Sequence, residues 1–356
     1  SSPINRHPLL QPFLLNANSS KEPTHFEISL WDKDSASQYN YGFEVGNTGV
    51  VSEWLEFIER PKKNRSSRLI FERSGNNFTF DKTVRSDLEP LVKRVLNTAL
   101  AVNVFGNLAE QHSHRLLELV SSQIKLVDGT DTNSLMSYAL DRCYSDKKLQ
   151  AQVIDFIKRS DIDINDVSID RSQMSVAELP AGIPEELKSI MANGSGFNYQ
   201  IRSQHSLYDN SGNKVEGSHV FNFGDESLGT QKVFALAVIL LDVLNKGETI
   251  VFDELGSSLH SFLTKKIVEL FQSPKSNKNG AQLIFTSHET FLLTKNPLNN
   301  KLDLRRDQIW FADKGANEAS ILRCLSEYKT KKEYELAKRY LEGRFGAVPV
   351  LKFEEE

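Results

Sequence analysis

Two carboxylates follow one another at the end of a short apolar run, and their spacing suits a nucleotide hydrolase. The run 249–252 is β-branched or apolar and ends in Asp253 and Glu254. The first carboxylate of such a pair holds Mg²⁺, directly or through water, and the second polarises the attacking water. The plainer alternative is a buried strand whose acids only cap the next helix, and the pair alone leaves both readings open.

A second apolar run places more polar chemistry beside this pair. The run 282–285 ends in Thr286 and, two residues on, His288, and a helical pattern over 257–271 separates it from 249–252. Short β-branched runs joined by a helix predict neighbouring, buried parallel strands. Polar residues at the carboxyl ends of such strands face the crevice in which α/β folds bind ligands. We therefore expect the two strand tips to share one site.

Further motifs around these tips carry a resemblance to a known family. Residues 255–260 read Leu-Gly-Ser-Ser-Leu-His, and residues 226–231 read Glu-Ser-Leu-Gly-Thr-Gln at the head of an apolar helix predicted for 227–244. With His288, these segments resemble, in the right order, the ATPase lobe of the ABC and SMC superfamily. By this resemblance, Asp253 and Glu254 match the Walker B pair, and Ser257 and Ser258 fall in the D-loop. His288 matches the switch histidine, and Ser227 to Thr230 match the signature loop.

The resemblance implies ATP and Mg²⁺ as cofactors, together with residues that handle them. Its metal residue is Asp253, and its catalytic residues are Glu254, which orients water, and His288, which senses the γ-phosphate. Its nucleotide-binding residues are Ser227, Gly229, Thr230, Ser257 and Ser258. Ser227 and Gly229 of one subunit would contact the γ-phosphate held by another, because a helix N-terminus and its amides suit that anion. The resemblance thus implies a homodimer or higher oligomer.

A phosphate loop is missing from the pattern. The motif G-x-x-x-x-G-K-[ST], whose amides and lysine cradle a triphosphate, occurs nowhere in the 356 residues. The glycines at 46 and 49 are too close together and lack the lysine. Either a native N-terminal segment precedes Ser1, or the protein is a degenerate ATPase. The intact set of Asp253, Glu254, Ser227, Gly229 and His288 favours the first explanation.

Other segments narrow the resemblance. Residues 41–45 with 51–55, 306–311 and 340–349 resemble ABC-like AAA ATPases of prokaryotic defence, including RloA-like and abortive-infection AbiL-type proteins, which are related to the OLD family. Members are usually encoded beside an effector, so the resemblance implies a partner that is a nuclease, a Toprim-type protein or a toxin. Gly256 departs from this group, which usually has Asp there, at a position that helps to couple the two sites of a dimer.

The whole chain predicts an α/β fold, an ABC/SMC-like P-loop NTPase lobe with an antiparallel β subdomain and a helical insertion. Four domains are predicted. They are an N-terminal part of the ATPase lobe with a β meander (1–82), a helical insertion (83–160), a Walker B and signature lobe (161–325), and a C-terminal helix and tail (326–356). Helical spacing covers 88–100, and further helices are expected at 108–126, 134–143, 147–158, 184–191 and 331–342. Strands are expected at 162–169, 198–205, 219–223, 308–311 and 319–322.

Composition bounds the class of protein. A chain of 356 residues that is 39% hydrophobic and 25% charged is ordinary for a globular protein of two or three domains. Its net charge of −4 gives no global case for nucleic-acid binding, so such a partner depends on local patches. The two cysteines, Cys143 and Cys324, fit a reducing compartment and no zinc site. Because no apolar run reaches the roughly 18 residues of a membrane span, we expect a cytoplasmic protein with no membrane partner.

Two other functions stay open beside an ATPase that gates an effector. One is a non-hydrolysing, nucleotide-dependent scaffold that holds a toxin or nuclease, and it is suggested by Gly256 and the absent phosphate loop. The other is a RecF- or SMC-like DNA repair ATPase that binds duplex directly. The acidic net charge and the lack of a long heptad run weigh against the DNA repair function.

Overall fold

The chain forms two compact units in a computed structural model that describes residues 10–59, 67–108, 110–160, 162–173, 197–296, 301–329 and 336–348. Unit one comprises Ser1–Ile124, Arg305–Lys332 and Lys338–Glu356, and unit two comprises Lys125–Leu304 and Glu333–Ala337. The domain boundaries drawn from the sequence stay predictions.

The described elements mix strands and helices throughout. The strands are β1 Thr24–Asp32, β2 Ser37–Gly46, β3 Gly49–Ile58, β4 Ser67–Ser74, β5 Asn77–Phe80, β6 Ile124–Asp128, β7 Asp166–Gln173, β8 Phe197–Tyr208, β9 Lys214–Asn222, β10 Thr249–Asp253, β11 Gln282–Phe285, β12 Trp310–Lys314 and β13 Ser320–Cys324. The α-helices are α1 Arg85–Leu88, α2 Ala101–Leu108, α3 Gln111–Gln123, α4 Thr132–Ser145, α5 Lys147–Arg159, α6 Leu228–Lys246, α7 Ser261–Gln272 and α8 Leu336–Leu341.

Unit one is built on the antiparallel meander that the sequence predicts. Its five strands pair in the order β1-β2-β3-β4-β5. Alternating residues of these strands bury one face of the sheet against α2 and α3. The core side chains include Leu55 and Phe71 from the sheet, Phe105 from α2 and Leu116 from α3.

A buried ion pair ties the meander to the start of α2. Glu53 is fully buried and accepts the backbone N–H groups of Ala101 and Val102 at 2.7 and 2.9 Å. Arg73 lies 3.7 Å from the same carboxylate and donates to the Ala99 carbonyl. A carboxylate at a helix N-terminus satisfies free amides and matches the positive end of the helix dipole.

Unit two carries the predicted parallel strands. β10 and β11 pair in parallel with Thr249 opposite Gln282 and Phe252 opposite Phe285, and the sheet order is β11-β10-β6. Helix α6 supplies much of the core, as its nearly continuous apolar sequence predicts. A second, antiparallel sheet has the order β7-β8-β9.

The length and composition of α6 would also allow it to cross a membrane. It spans 19 residues at a mean hydropathy of 1.5, and it alone passes that test among the described residues. Most of its residues are buried in the core of unit two. Packing within the protein therefore accounts for its apolar composition.

Several sequence-based predictions for the helical insertion are wrong in detail. The stretch 88–100 is no continuous helix: α1 ends at Leu88, and a 3-10 helix, Glu89–Arg94, follows. Pro90 explains this, since it lies in the first turn of the 3-10 helix and has no N–H with which to extend the hydrogen bonds of α1. The helix predicted for 108–126 ends at Gln123, and β6 follows at once.

Other helices and strands begin a few residues away from the positions predicted from the sequence. The strand predicted at 162–169 is β7, which begins only at Asp166, and the helix predicted from residue 257 begins at Ser261. The final helix is described from Leu336. The helix predicted at 184–191 lies outside the described residues.

Candidate active site

The ends of three strands of unit two meet at Asp253. The backbone N–H of Gly129, just after β6, donates to the Asp253 carbonyl at 2.9 Å. On the other side, the N–H of Thr286, just after β11, donates to the Phe252 carbonyl at 3.0 Å. Asp253 itself is exposed. The two predicted tips therefore share one edge of the sheet, together with a third tip that the sequence did not indicate.

One hydroxyl group holds both acidic residues in place. The Thr286 hydroxyl donates to the Asp253 carboxylate at 2.5 Å and accepts the backbone N–H of Glu254 at 2.8 Å. The Thr286 carbonyl accepts the N–H of Leu255 at 2.9 Å. Glu254 has a φ of 55°, in the left-handed region, which is uncommon for a residue with a side chain. The chain therefore turns sharply after Asp253, and the contacts of Thr286 stabilise that turn.

The loop after Glu254 requires glycine at position 256. Gly256 has a φ of 101°, and a Cβ there would lie 3.0 Å from Glu289 Cγ and 3.1 Å from Thr264 Oγ1. Ser257 donates its backbone N–H to the Glu254 carbonyl at 3.1 Å, and Ser258 has a φ of 60°. The departure from Asp at position 256 thus has a local cause, because L side chains rarely adopt this backbone geometry.

A buried lysine joins this loop to α6. Lys232 is 6% exposed, and its Nζ donates to the Ser257 carbonyl. Burial lowers the pKa of Lys232, while the nearby carboxylates of Glu254 and Asp128 raise it. The ammonium group is therefore held on the loop through Ser257, and it interacts electrostatically with one of the predicted catalytic carboxylates and with Asp128 at the tip of β6.

The signature-like residues begin α6 at the protein surface. Ser227 is the N-cap, and its hydroxyl accepts the N–H of Thr230 at 3.1 Å. Ser227 and Gly229 are exposed, and Leu228 between them is 81% exposed. The preceding Glu226 accepts from His205 Nε2 at 2.7 Å. The sequence-predicted helix start is confirmed, and it presents a helix N-terminus to solvent.

The structure brings some of the predicted site residues together and leaves others apart. Asp253 and Glu254 share Thr286, and Ser257 follows in the same turn. His288 is exposed two residues beyond Thr286. Within the described part of the chain, no hydrogen bond joins Ser227, Gly229 or Thr230 to either acid.

Three residues of the site carried no role in the sequence analysis. Thr286 was placed at a strand tip only, Gly129 falls between two predicted helices, and Lys232 falls within a predicted apolar helix. A lysine in an otherwise buried helix face is the one signal that the sequence offered, since lysine is rarely buried without a partner. The contacts of Thr286 and Gly129 arise between segments distant in sequence, which periodicity does not report.

Comparison with known families decides the class of this site. Residues 4–294 match the family model described as "AAA domain, putative AbiEii toxin, Type IV TA system". The chain belongs to this AAA family. Its fold is therefore of the P-loop NTPase class, and the domain is a nucleotide-binding ATPase domain of a kind that generally uses ATP and Mg²⁺.

Other comparisons add little to the AAA assignment. No curated protein matches the chain. One matching solved structure is titled "Structure of the recombination mediator protein RecF-ATP in RecFOR pathway", with 12% identity, a TM-score of 0.21 and coverage of 70% of this chain and 75% of that chain. A TM-score this low gives no support for a shared function.

The donor set at the AAA strand tips fits a magnesium ion. Mg²⁺ is usually held by one or two carboxylates, with water and substrate phosphates completing its octahedron. Asp253 supplies one exposed carboxylate there. Among the described residues, no group of three or more His, Cys, Asp or Glu side chains could hold a metal ion alone. A magnesium ion at Asp253 would therefore take most of its ligands from phosphate and water.

Proposed function

We propose that this chain is an ABC-type ATPase that dimerises around Mg²⁺-ATP and hydrolyses it to control a partner effector in an anti-phage, abortive-infection system. The observation that carries the proposal is the Asp253-Glu254 turn at the ends of the parallel strands, in a chain of the AAA family. The Thr286 hydroxyl stabilises this turn by hydrogen bonds to both residues. The family description, which names the AbiEii toxin and a type IV toxin–antitoxin system, supports a defence setting.

The acidic turn divides the work between two carboxylates. When bound, Mg²⁺ neutralises charge on the phosphates of ATP. Asp253 would hold that ion, because its carboxylate is exposed and oriented by the Thr286 hydroxyl. Glu254 would accept a proton from the attacking water. Its left-handed φ turns the backbone away from the direction of β10 directly after Asp253. His288 would contact the γ-phosphate from the neighbouring strand tip.

The exposed start of α6 supports closure by a second copy of the chain. The 19-residue helix concentrates partial positive charge at its N-terminus, where amides can bind an anion. Ser227, Gly229 and Thr230 lie there, with Ser227 and Gly229 open to solvent. In the proposed dimer they contact the γ-phosphate of the other subunit, and Ser257 and Ser258 line the same nucleotide.

The setting and partners follow from the same proposal. The effector would be a nuclease, a Toprim-type protein or a toxin, released or restrained as the dimer opens and closes. The protein would work in the cytoplasm, without a membrane partner. Because the net charge is −4, any contact with nucleic acid would depend on a local patch of positive surface charge.

Replacement of Ser227 by arginine should block ATP-driven association. A long cation at the exposed N-cap would obstruct the facing subunit and remove the hydroxyl that accepts the Thr230 N–H. ATP binding to the isolated subunit should stay unchanged. The measurement is light scattering of the whole protein with and without ATP, with Ser227→Thr as the control because threonine also caps helices. Equal ATP-dependent association of the arginine and threonine variants would show that the signature-loop role is wrong.

A further inference from the structure

Lys232 is placed where stability alone gives little reason for a lysine. It is 6% exposed on a helix whose following residues, 233–240, are all apolar and buried. Burial of an ammonium group carries a desolvation penalty, and apolar replacements of buried charges are often neutral or stabilising. Its presence in the core points to a role that an apolar side chain could not fill.

The lysine connects three segments of the candidate site. Its Nζ donates to the Ser257 carbonyl, and Ser257 in turn donates its N–H to the Glu254 carbonyl at 3.1 Å. The carboxylates of Glu254 and Asp128 both act on its charge. The tip of β6 is pressed against the same turn, since a Cβ on Gly129 would lie 2.7 Å from the Asp253 carbonyl and 2.8 Å from that of Glu254.

The same lysine lies close to the signature-like residues along the helix. Thr230 is two residues before it, and the N-cap Ser227 is five residues before it, so both are within about one and a half turns. A helix moves nearly as a rigid body over that distance. Any shift of the N-terminus of α6 on contact with a phosphate is therefore passed through Nζ to the Ser257 carbonyl.

We propose that Lys232 is a positioning residue that couples the start of α6 to the Glu254–Ser257 turn and so sets the place of the Glu254 carboxylate for hydrolysis. The inference rests on the proposed ATPase function and extends it. Lys232 touches no substrate in this account and acts through Ser257 and Glu254. Its removal should therefore slow turnover without weakening the binding of ATP.

The test compares Lys232→Met with Lys246→Met in the whole protein. Methionine has a side chain of similar length to lysine, but it lacks the positive charge and the N–H groups that donate to the Ser257 carbonyl. Lys246 is at the opposite end of α6, where it pairs with Asp242. We expect Lys232→Met to lower kcat by tenfold or more, as about 1 Å of misplacement does. The KM, the ATP-driven association and the thermal midpoint should stay close to those of Lys246→Met.

A double-mutant cycle with Glu254→Gln separates coupling from a general defect. If Lys232 acts through Glu254, Lys232→Met should slow Glu254→Gln by much less than it slows the wild type. Lys232→Arg, which keeps the charge and a donor, should restore part of the rate. A loss below threefold in Lys232→Met, or losses that multiply fully in the double variant, would overturn the inference.

Hydrogen exchange tests the link without turnover. Lys232→Met should speed amide exchange in residues 254–260 and leave the rest of unit two unchanged, and equal exchange in the two methionine variants would overturn the inference. A wild type with no ATP turnover would instead overturn the proposed function, and the exchange experiment would still decide the role of Lys232. If Lys232→Met does not fold, the same measurements on Lys232→Arg against Lys246→Arg decide.

Discussion

At the scale of single residues, the site depends on the hydroxyl group of Thr286. A threonine hydroxyl has one donor and two acceptor positions, and Thr286 uses both kinds at once on Asp253 and Glu254. Without it, the backbone N–H of Glu254 would lose its partner and the Asp253 carboxylate would be free to rotate. One small side chain just after β11 therefore holds the last residue of β10 and the residue that follows it.

Thr286→Val should both slow hydrolysis and destabilise unit two. Valine has nearly the shape of threonine but cannot accept the Glu254 N–H, and the loss of one such exposed hydrogen bond costs about 0.5–1.5 kcal/mol. Single-turnover hydrolysis and urea denaturation followed by circular dichroism measure the two effects. Thr286→Ser, which keeps the hydroxyl, is the control. A valine variant as active and stable as the serine variant would contradict this role.

The sequence predicted the acids of this site and missed the residues that hold them. Asp253 and Glu254 were found because an apolar run ends in two carboxylates, which is a local pattern. The roles of Thr286 and Lys232 depend on which segments lie beside them in the fold. Likewise, Gly256 appeared only as a departure from a family pattern until its φ of 101° gave the physical reason for glycine.

At the scale of elements, local patterns predicted the strands of the site except for β6. The runs 249–252 and 282–285 are bounded by polar residues and joined by a helix, so β10 and β11 were expected and are confirmed. β6 follows α3 without a break, and the spacing of apolar residues carries the helical pattern across it. Its strand geometry depends on pairing with β10, more than 100 residues away in sequence, which no local pattern reports.

Gly129→Ala should displace the tip of β6 from the acidic turn. The added methyl group would lie 2.7 Å from the Asp253 carbonyl and 2.8 Å from the Glu254 carbonyl, both backbone atoms, so strands must shift. Overpacking of this kind typically costs about 1–3 kcal/mol, and turnover should fall with it. Urea denaturation measures the free energy of unfolding. Gly224→Ala is the control, because nothing lies within 4 Å of its added Cβ; equal stability of the two variants would contradict the close approach.

At the scale of the whole molecule, the two units can be followed by different signals. The three tryptophans are Trp31, Trp54 and Trp310, and all belong to unit one. Tryptophan fluorescence therefore reports the unfolding of unit one, while circular dichroism reports both units. Where the two signals give different midpoints, a single free energy of unfolding does not describe the protein.

Acid should weaken unit one through Asp32. Arg115 donates two hydrogen bonds to this buried carboxylate at 2.7 and 2.9 Å, and it lowers the pKa of Asp32 from 3.8 to about 2. A lowered pKa stabilises the fold fully above about pH 4, and this stability is lost as the pH falls through 2. The contribution is about 2 kcal/mol at about 1.36 kcal/mol per pH unit.

The comparison of wild type with Asp32→Asn isolates that contribution. Other carboxylates titrate in both proteins, so the difference in unfolding free energy between them, read by tryptophan fluorescence, is the relevant quantity. We expect the difference to shrink by about 2 kcal/mol between pH 4.5 and pH 2. A difference that does not change over this range would contradict the lowered pKa of Asp32.

Single-turnover hydrolysis of ATP by Glu254→Gln tests the central claim most directly. Glutamine keeps the shape of the side chain but cannot accept a proton, so the rate should fall about 10²–10⁴-fold, or roughly 3–5.5 kcal/mol, with ATP still bound. Glu248→Gln is the control and should keep the wild-type rate, because Glu248 lies just before the first residue of β10, at the end of the strand away from Asp253. If Glu254 only shapes the turn before α7, its replacement should leave turnover near normal. A Glu254→Gln rate within about threefold of wild type would contradict the catalytic role.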